Sequence, residues 1–303
     1  MLSICIPTYR YDVRPLVTEL LRQVAAVQEG PIEILVFDDA SPDDGDWGRA
    51  ALRQTSGIRY EELTTNLGRA AIRNKMARAA TQEFLVMMDA DGWPNPNFVR
   101  RYLNEVKETK RNLGQSGISV IVTGGRAYAE APPEDHRLHL HWWYGTRRES
   151  RSVEQREVQE WLGFQSNNFM VTRSLLLEYP FPEDVDGYGH EDTVWGQQFA
   201  SKQVSLYHED NPVVHLGLEP NDVFLRKQKQ AIENLRLLKN RSSHLRTRLI
   251  DLVEILPFLP FLASLFPEKA LVSHLTKRAR PSLYALDLLK LRWWRAVKKS
   301  VPL

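Results

Sequence analysis

Apolar residues in the first ninety positions come in short unbroken runs, separated by segments whose apolar residues recur with a helical period. LSICIP (2–7), IEILVF (32–37) and EFLVMM (83–88) read as buried strands, and IRYEEL (58–63) as another strand between them. PLVTELLRQVAAV (15–27) puts Leu16, Leu20, Val24 and Val27 on one helical face. A short helix is expected near 46–54, after the turn residues DDASPDDGD, and NLGRAAIRNKMARAA (66–80) reads as a helix with an Asn/Gly entrance. Strand and helix alternating in this way predict an α/β fold, with a mostly parallel sheet flanked by helices on both faces.

The pattern then loosens. GISVIVTGGRAYAE (117–130) reads as a strand, and the Pro-, His-, Trp- and Arg-rich segment 131–152 as a long surface excursion. SNNFMVTRSLLLEY (166–179) reads as a strand followed by a helix, GYGHEDTVWGQQFASK (187–202) as a glycine turn feeding a helix, and 204–217 as extended chain. From about 221 long helices rich in Leu, Arg and Lys take over. The expected organisation is an α/β domain over 1–220 and a helical C-terminal extension over 221–303.

Composition changes this picture little. Charged residues are 26 % and the net charge is +2, so no bulk field points to nucleic acid. The one cysteine, Cys5, excludes a disulfide framework and sits in an apolar run, where a thiol is a small hydrophobe. MLSICIPTYR has no basic stretch before its short apolar run, so a cytoplasmic chain is expected, on its own or peripheral on the inner face of the membrane.

In parallel sheets, ligands bind beyond the carboxyl ends of the strands. Pro7-Thr8-Tyr9, Asp38-Asp39 and Asp89-Ala90-Asp91 each follow an expected strand, so three polar clusters should converge on one edge. Two carboxylates as near as Asp89 and Asp91 repel each other, and a divalent ion with substrate phosphates relieves the repulsion. Asp38 and Asp39 could accept hydrogen bonds from a ribose or a base, leaving Asp43, Asp44 and Asp46 as helix caps. Arg69 and Arg73 lie four apart, so both can face one anion or form a solvated basic face.

LSICIPTYR, ILVFDDASPDD, NLGRAAIRN, LVMMDADGWPNPNFV and GYGHEDTVWG together resemble the family 2 glycosyltransferases of the GT-A fold, over roughly 1–217. The last block, with SNNFMVTRS before it, resembles the galactosyltransferase and N-acetylgalactosaminyltransferase branch. The resemblance implies a UDP-sugar donor, Mn²⁺ or Mg²⁺, and a glycan acceptor; a lipid-linked acceptor is expected only as far as the C-terminal tail binds a membrane. It implies that Pro7, Thr8 and Tyr9 line the nucleotide pocket, that Asp39 contacts the base with Asp38 as its neighbour, and that Asn66, Gly68, Arg69 and Arg73 lie near the ribose and diphosphate. Asp89 and Asp91 resemble the family's Asp-x-Asp, Asp91 as the more direct metal ligand and Asp89 nearer the ribose and sugar. His215 resembles a further metal ligand of some members.

Transfer to a hydroxyl needs a group to take its proton. Asp192 is the candidate base by match to the family's Glu-Asp, with Glu191 binding the acceptor or orienting the base. Both acids also suit a helix N-terminus, and Gly187 and Gly189 a tight turn before it. One base without an obvious nucleophile suggests single displacement with inversion. Trp142 or Trp143 could stack on an acceptor sugar or pack in a core, and His136, His139 and His141 are expected on the surface. A nucleotidyltransferase would need a glycine-rich phosphate loop after the first strand, which PTYRYDVRP lacks. A non-catalytic sugar-binding or membrane scaffold is the other rival.

In the tail, ILPFLPFLASLF (255–266) is apolar but too short to span a bilayer. SLYALDLLKLRWWRAVKKS aligns Leu283, Leu286, Leu289, Trp293 and Val297 on one side, with Lys290, Arg292, Arg295, Lys298 and Lys299 around them. A basic amphipathic helix with tryptophans reads as a membrane-surface anchor, with packing on the catalytic domain or a second subunit as the competing reading.

Overall fold

The computed structural model describes residues 1–116, 118–184, 189–242, 244–278 and 280–297. The chain forms two compact units. The first comprises Met1–Ala127, Arg151–Glu183 and Gln198–Gly217, and the second Tyr128–Ser150, Asp184–Gln197 and Leu218–Leu303. Neither unit is one continuous stretch: the second takes in two earlier segments besides the chain from Leu218 onward.

All the strands described belong to the first unit: β1 (Leu2–Thr8), β2 (Ile32–Asp38), β3 (Ile58–Glu62), β4 (Phe84–Met88), β5 (Gly92–Pro94), β6 (Ser119–Thr123), β7 (Arg126–Ala127), β8 (Asn168–Thr172), β9 (Val204–His208) and β10 (Val213–His215). Seven make one sheet in the order β3-β2-β1-β4-β8-β6-β9, parallel except for β8. β1, β4 and β8 lie inside the sheet and carry the continuous apolar runs that burial on two faces requires. Leu16, Val17 and Leu20 of the helix Arg14–Val27 and Phe98, Tyr102 and Val106 of the helix Phe98–Ser116 complete this core.

Register then positions the polar clusters. Thr8 pairs with Asp38 and Cys5 with Met87, so β1, β2 and β4 end at the same edge. Tyr9, Asp39 and Asp89 are therefore first beyond the sheet there, as the alternation predicts. The single strand expected over 117–130 is instead broken after β6. A side chain on Gly124 would meet Asn168 Nδ2 and the Asn211 carbonyl at 2.5 Å, so the two backbones can approach this closely only at a glycine. Beyond the break, β7 joins a small sheet in the order β5-β10-β7.

The second unit is helical. Its main helices are Asn221–Arg241, Arg248–Ile255, Leu259–Ser264, Glu268–Lys277 and Leu283–Ala296. Two expectations are corrected here. The segment 131–152 is a surface excursion only in its first part: residues 131–137 are largely exposed, but the helix His139–Tyr144 inserts Leu140 into a core with Phe224, Leu235 and Leu275. The apolar side of the last helix is not free for a bilayer either. Leu286, Leu289 and Trp293 are buried in that same core, and Trp293 Nε1 donates to Glu268 at 2.9 Å. Neighbouring helices, not lipid, satisfy the amphipathic pattern. Lys298 and Lys299 lie outside the described residues, as does Gly187. No described helix is long and apolar enough to cross a membrane.

Candidate active site

Asp39 organises the first part of the sheet edge. It is buried, its amide donates to the Thr8 carbonyl at 2.8 Å, and its carboxylate accepts from the amides of Leu67 (2.7 Å) and Gly68 (2.9 Å). Asn66 Nδ2 donates to the Asp39 carbonyl at 2.9 Å. Gly68 sits at φ +81°, a left-handed conformation in which a side chain would be strained, and opens the helix Arg69–Ala79. Burial pushes the Asp39 carboxyl up, with neighbouring Asp38 adding to it, while the two amides pull it down. Thus the structure brings Thr8, Asp39, Asn66 and Gly68 together, and the Asp39 carboxylate keeps lone pairs beyond the two amides it accepts from. Tyr9 is 47 % exposed beside them, and Pro7 is half-buried at the end of β1. Asp38 plays a structural part, accepting from the Ser41 amide (2.8 Å) and from Arg49 Nε (2.9 Å).

The Asp-x-Asp residues diverge. Asp89 Oδ1 receives Arg73 Nη2 at 2.8 Å, and Arg126 Nη2 stands 3.7 Å from Oδ2. Asp91 Oδ1 stands 3.4 Å from His215 Nδ1. Burial works against ionisation of Asp91, but the His215 contact and the Arg126 charge hold its carboxyl below the ordinary value. Backbone pairing fixes this geometry. His215 pairs with Gly92 across β10 and β5, the Leu216 amide donates to the Asp91 carbonyl at 2.8 Å, and the Gly92 amide to the Asp89 carbonyl at 3.0 Å. A side chain on Gly217 would collide with Asp91 Oδ2, so the carboxylate lies in a cradle that only glycine leaves open.

Among the described residues no three His, Cys, Asp or Glu side chains form a complete metal cage. Asp91 and His215 nonetheless make a carboxylate–imidazole donor pair, in which the carboxylate is the donor type that Mn²⁺ and Mg²⁺ take and the imidazole the type that transition-metal ions take. Asp89 is the member engaged by guanidinium groups. Arg73 is buried against it, with Arg69 exposed at the head of the same helix.

Glu191 and Asp192 belong to the second unit and open the helix Glu191–Gln197. Glu191 is buried, and Asp192 is half-buried with Oδ1 accepting from the Thr193 amide at 2.7 Å. His190, at φ +72°, precedes them, and burial pushes its imidazole down to about 4, so it is neutral near pH 7. The aromatic candidates are largely internal. Trp142 is buried with Nε1 donating to the Ala129 carbonyl at 2.7 Å, whereas half-buried Trp143 carries Arg147 over its ring at 3.2 Å. His139 and His141 are buried too, contrary to the expectation for them. His141 accepts from the Glu219 amide at 3.0 Å and stacks on Phe224.

Arg126 joins Asp89 and Asp91 at this edge of the sheet, and the sequence reading did not single it out. Its signal was the Gly-Gly pair after a buried strand, where the chain turns before the cation.

Residues 3–177 match the family model described as glycosyl transferase family 2. The mannosyltransferase PcManGT from Pyrobaculum calidifontis, solved with GDP-Man and Mn²⁺, aligns with 98 % of this chain and 81 % of its own, at 19 % identity and TM-score 0.52. S. aureus TarS 1-349 in complex with UDP aligns over 98 % and 89 %, at 19 % identity and TM-score 0.49. No curated protein sequence matches the chain.

Proposed function

The chain belongs to glycosyl transferase family 2 and is a glycosyltransferase, and on that premise we propose that it moves galactose or N-acetylgalactosamine from a UDP-sugar to a hydroxyl of a glycan or lipid-linked glycan. The carrying observation is the pairing of Asp91 with His215, 3.4 Å apart, at the strand edge where Thr8, Asp39 and Asn66 also meet. Nucleotidyl transfer and a non-catalytic scaffold are set aside by family membership.

In this reading the base of the nucleotide lies over Pro7, Thr8 and exposed Tyr9, and a base N–H reaches a remaining lone pair of Asp39. Arg69, exposed at the head of its helix, attracts the diphosphate. Arg73 and Arg126 act through Asp89, holding it toward the ribose and sugar. Asp91 and His215 would hold Mn²⁺ or Mg²⁺, which supplies positive charge against the departing diphosphate; PcManGT, of the same fold, was solved in complex with GDP-Man and Mn²⁺. Asp192 takes the proton of the attacking hydroxyl and Glu191 orients the acceptor. Attack by the hydroxyl itself inverts the anomeric centre.

The test is nucleotide release from a panel of UDP-sugars, with GDP-mannose included, in the presence of Mn²⁺ and candidate acceptors. Acceptor-dependent UDP release is expected. Asp91→Ala should abolish it with weakened donor binding, and Asp192→Asn should abolish it with donor binding retained. Full turnover in both variants would overturn the assignment.

A further inference from the structure

With the last helix buried on its apolar side, the tail still carries an apolar surface, and it lies elsewhere. Residues 255–267 contain no charged side chain. Within them Ile255, Phe258, Phe261, Leu262, Leu265 and Phe266 are exposed, among them Ile255 at 73 %, Phe258 at 53 % and Leu265 at 66 %. The spacing is helical. Backbone bonds from Phe261 and Leu262 to the Phe258 carbonyl, and from Leu265 to that of Leu262, continue the turns on either side of Leu259–Ser264. Phe258, Phe261, Leu262, Leu265 and Phe266 therefore share one helical side, while Pro260 and Ala263 face inward, and Ile255 adds an exposed apolar side chain at the end of the preceding helix. Soluble surfaces rarely gather so many large apolar groups in one place.

Two further observations identify the occupant. At Phe266 the stripe runs into an open groove of about 370 Å³, also lined by Leu271, Tyr284 and Leu288. The rim is cationic. Arg295 lies over the Phe261 ring at 4.9 Å, Arg292 donates to the Phe266 carbonyl at 3.3 Å, and Lys269, Lys277, Arg278 and Arg280 are exposed. From 255 to 297 there are seven Lys and Arg against two acids, Glu268 and Asp287. Glu268 takes the Trp293 indole and pairs with Arg292 at 3.5 Å, and Asp287 pairs with Arg148 at 2.9 Å, so the exposed Lys269, Lys277, Arg278 and Arg280 carry most of the excess. An apolar stripe edged by excess cations complements a bilayer with anionic headgroups: the rings and Leu side chains enter the acyl boundary and the basic groups meet phosphates.

We propose that the 255–266 stripe, with its basic rim and the adjoining groove, docks the protein on an anionic membrane surface. The assignment is independent of which sugar is moved. It places the lipid contact on a segment too short to span the bilayer, rather than on the amphipathic last helix.

The experiment is flotation of the full chain with vesicles of phosphatidylcholine alone or mixed equally with phosphatidylglycerol. Binding is expected to the mixed vesicles, to weaken as salt rises, and to be much weaker on phosphatidylcholine alone. Ile255→Ser, Phe258→Ser and Leu265→Ser combined should lower the affinity by about tenfold or more, since each removes a largely exposed apolar side chain from the contact. Arg278→Glu with Arg280→Glu, which leaves the stripe intact, should also weaken binding to the mixed vesicles. Val158→Ser, an exposed apolar residue of the first unit, should change nothing. Absence of binding to mixed vesicles, or undiminished binding by the triple variant, overturns the proposal. So does a stripe variant that instead converts a dimer to a monomer in sedimentation, which would assign the surface to a second copy of the chain.

Discussion

Removing the Arg73 guanidinium tests whether Asp89 is held by a strong internal ion pair. The two groups meet at 2.8 Å, with Arg73 6 % and Asp89 30 % exposed in their side chains. Unit charges about 4 Å apart attract by about 4 kcal/mol at an effective dielectric near 20. Asp89 keeps some contact with water and has Arg126 at 3.7 Å, which reduces the loss to about 2 kcal/mol. Arg73→Met, Asp89→Asn and the double variant complete a cycle: methionine keeps most of the aliphatic stem, and the loss of the guanidinium that lies 5.6 Å from the Phe181 ring centre cancels between the two arms of the cycle. Urea unfolding of the four proteins should give a coupling of about 2 kcal/mol, with each single variant clearly destabilised and similar m-values throughout. A coupling below about 0.5 kcal/mol would refute the reasoning, since Asp89 would then be positioned without Arg73.

Gly217→Ala should push Asp91 off its partner His215 and lower the affinity for Mn²⁺ with UDP by about tenfold, at a stability cost of about 1–3 kcal/mol; titration calorimetry showing wild-type affinity would count against the cradle. Glu105 gives a pH signature. Burial first, then Glu209 and Glu108, push its carboxyl up from 4.5 to about 7. As pH rises through that window the unfolded chain loses the proton first, so stability falls. Glu105→Gln should therefore gain on the order of 1 kcal/mol over the native chain at pH 8, after discounting for partial exposure, and nothing at pH 4. Equal stability differences at both pH values, read by urea denaturation, would contradict this origin.

The strands and the edge where they end were legible because two-sided burial writes continuous apolar runs, and a polar residue after such a run has few places to go. Asp39 was found, but its bonds to Leu67 and Gly68 were not, since they depend on how a loop some thirty residues later folds back. Arg126 was missed because apolar residues continue past Gly124, while the contact that breaks the strand comes from Asn168 and Asn211. In the tail, periodicity identified the amphipathic helix correctly and its partner wrongly. The same pattern serves a lipid surface or a helical core, and only packing decides which. His139 and His141 were misread for a related reason: a segment rich in prolines, histidines and arginines resembles surface chain until Leu140 is seen to anchor it.

The backbone passes between the two units five times. Leu140 and Val194 come from early segments, yet they pack with Phe224, Leu286 and Leu289. A chimera that exchanged only the last third of the chain with a relative would set one parent's short inserts beneath the other's helices, leaving mismatched volumes inside. Recombination that keeps this protein foldable must carry three stretches at once, so the helical unit is inherited as a set and not as a removable appendix.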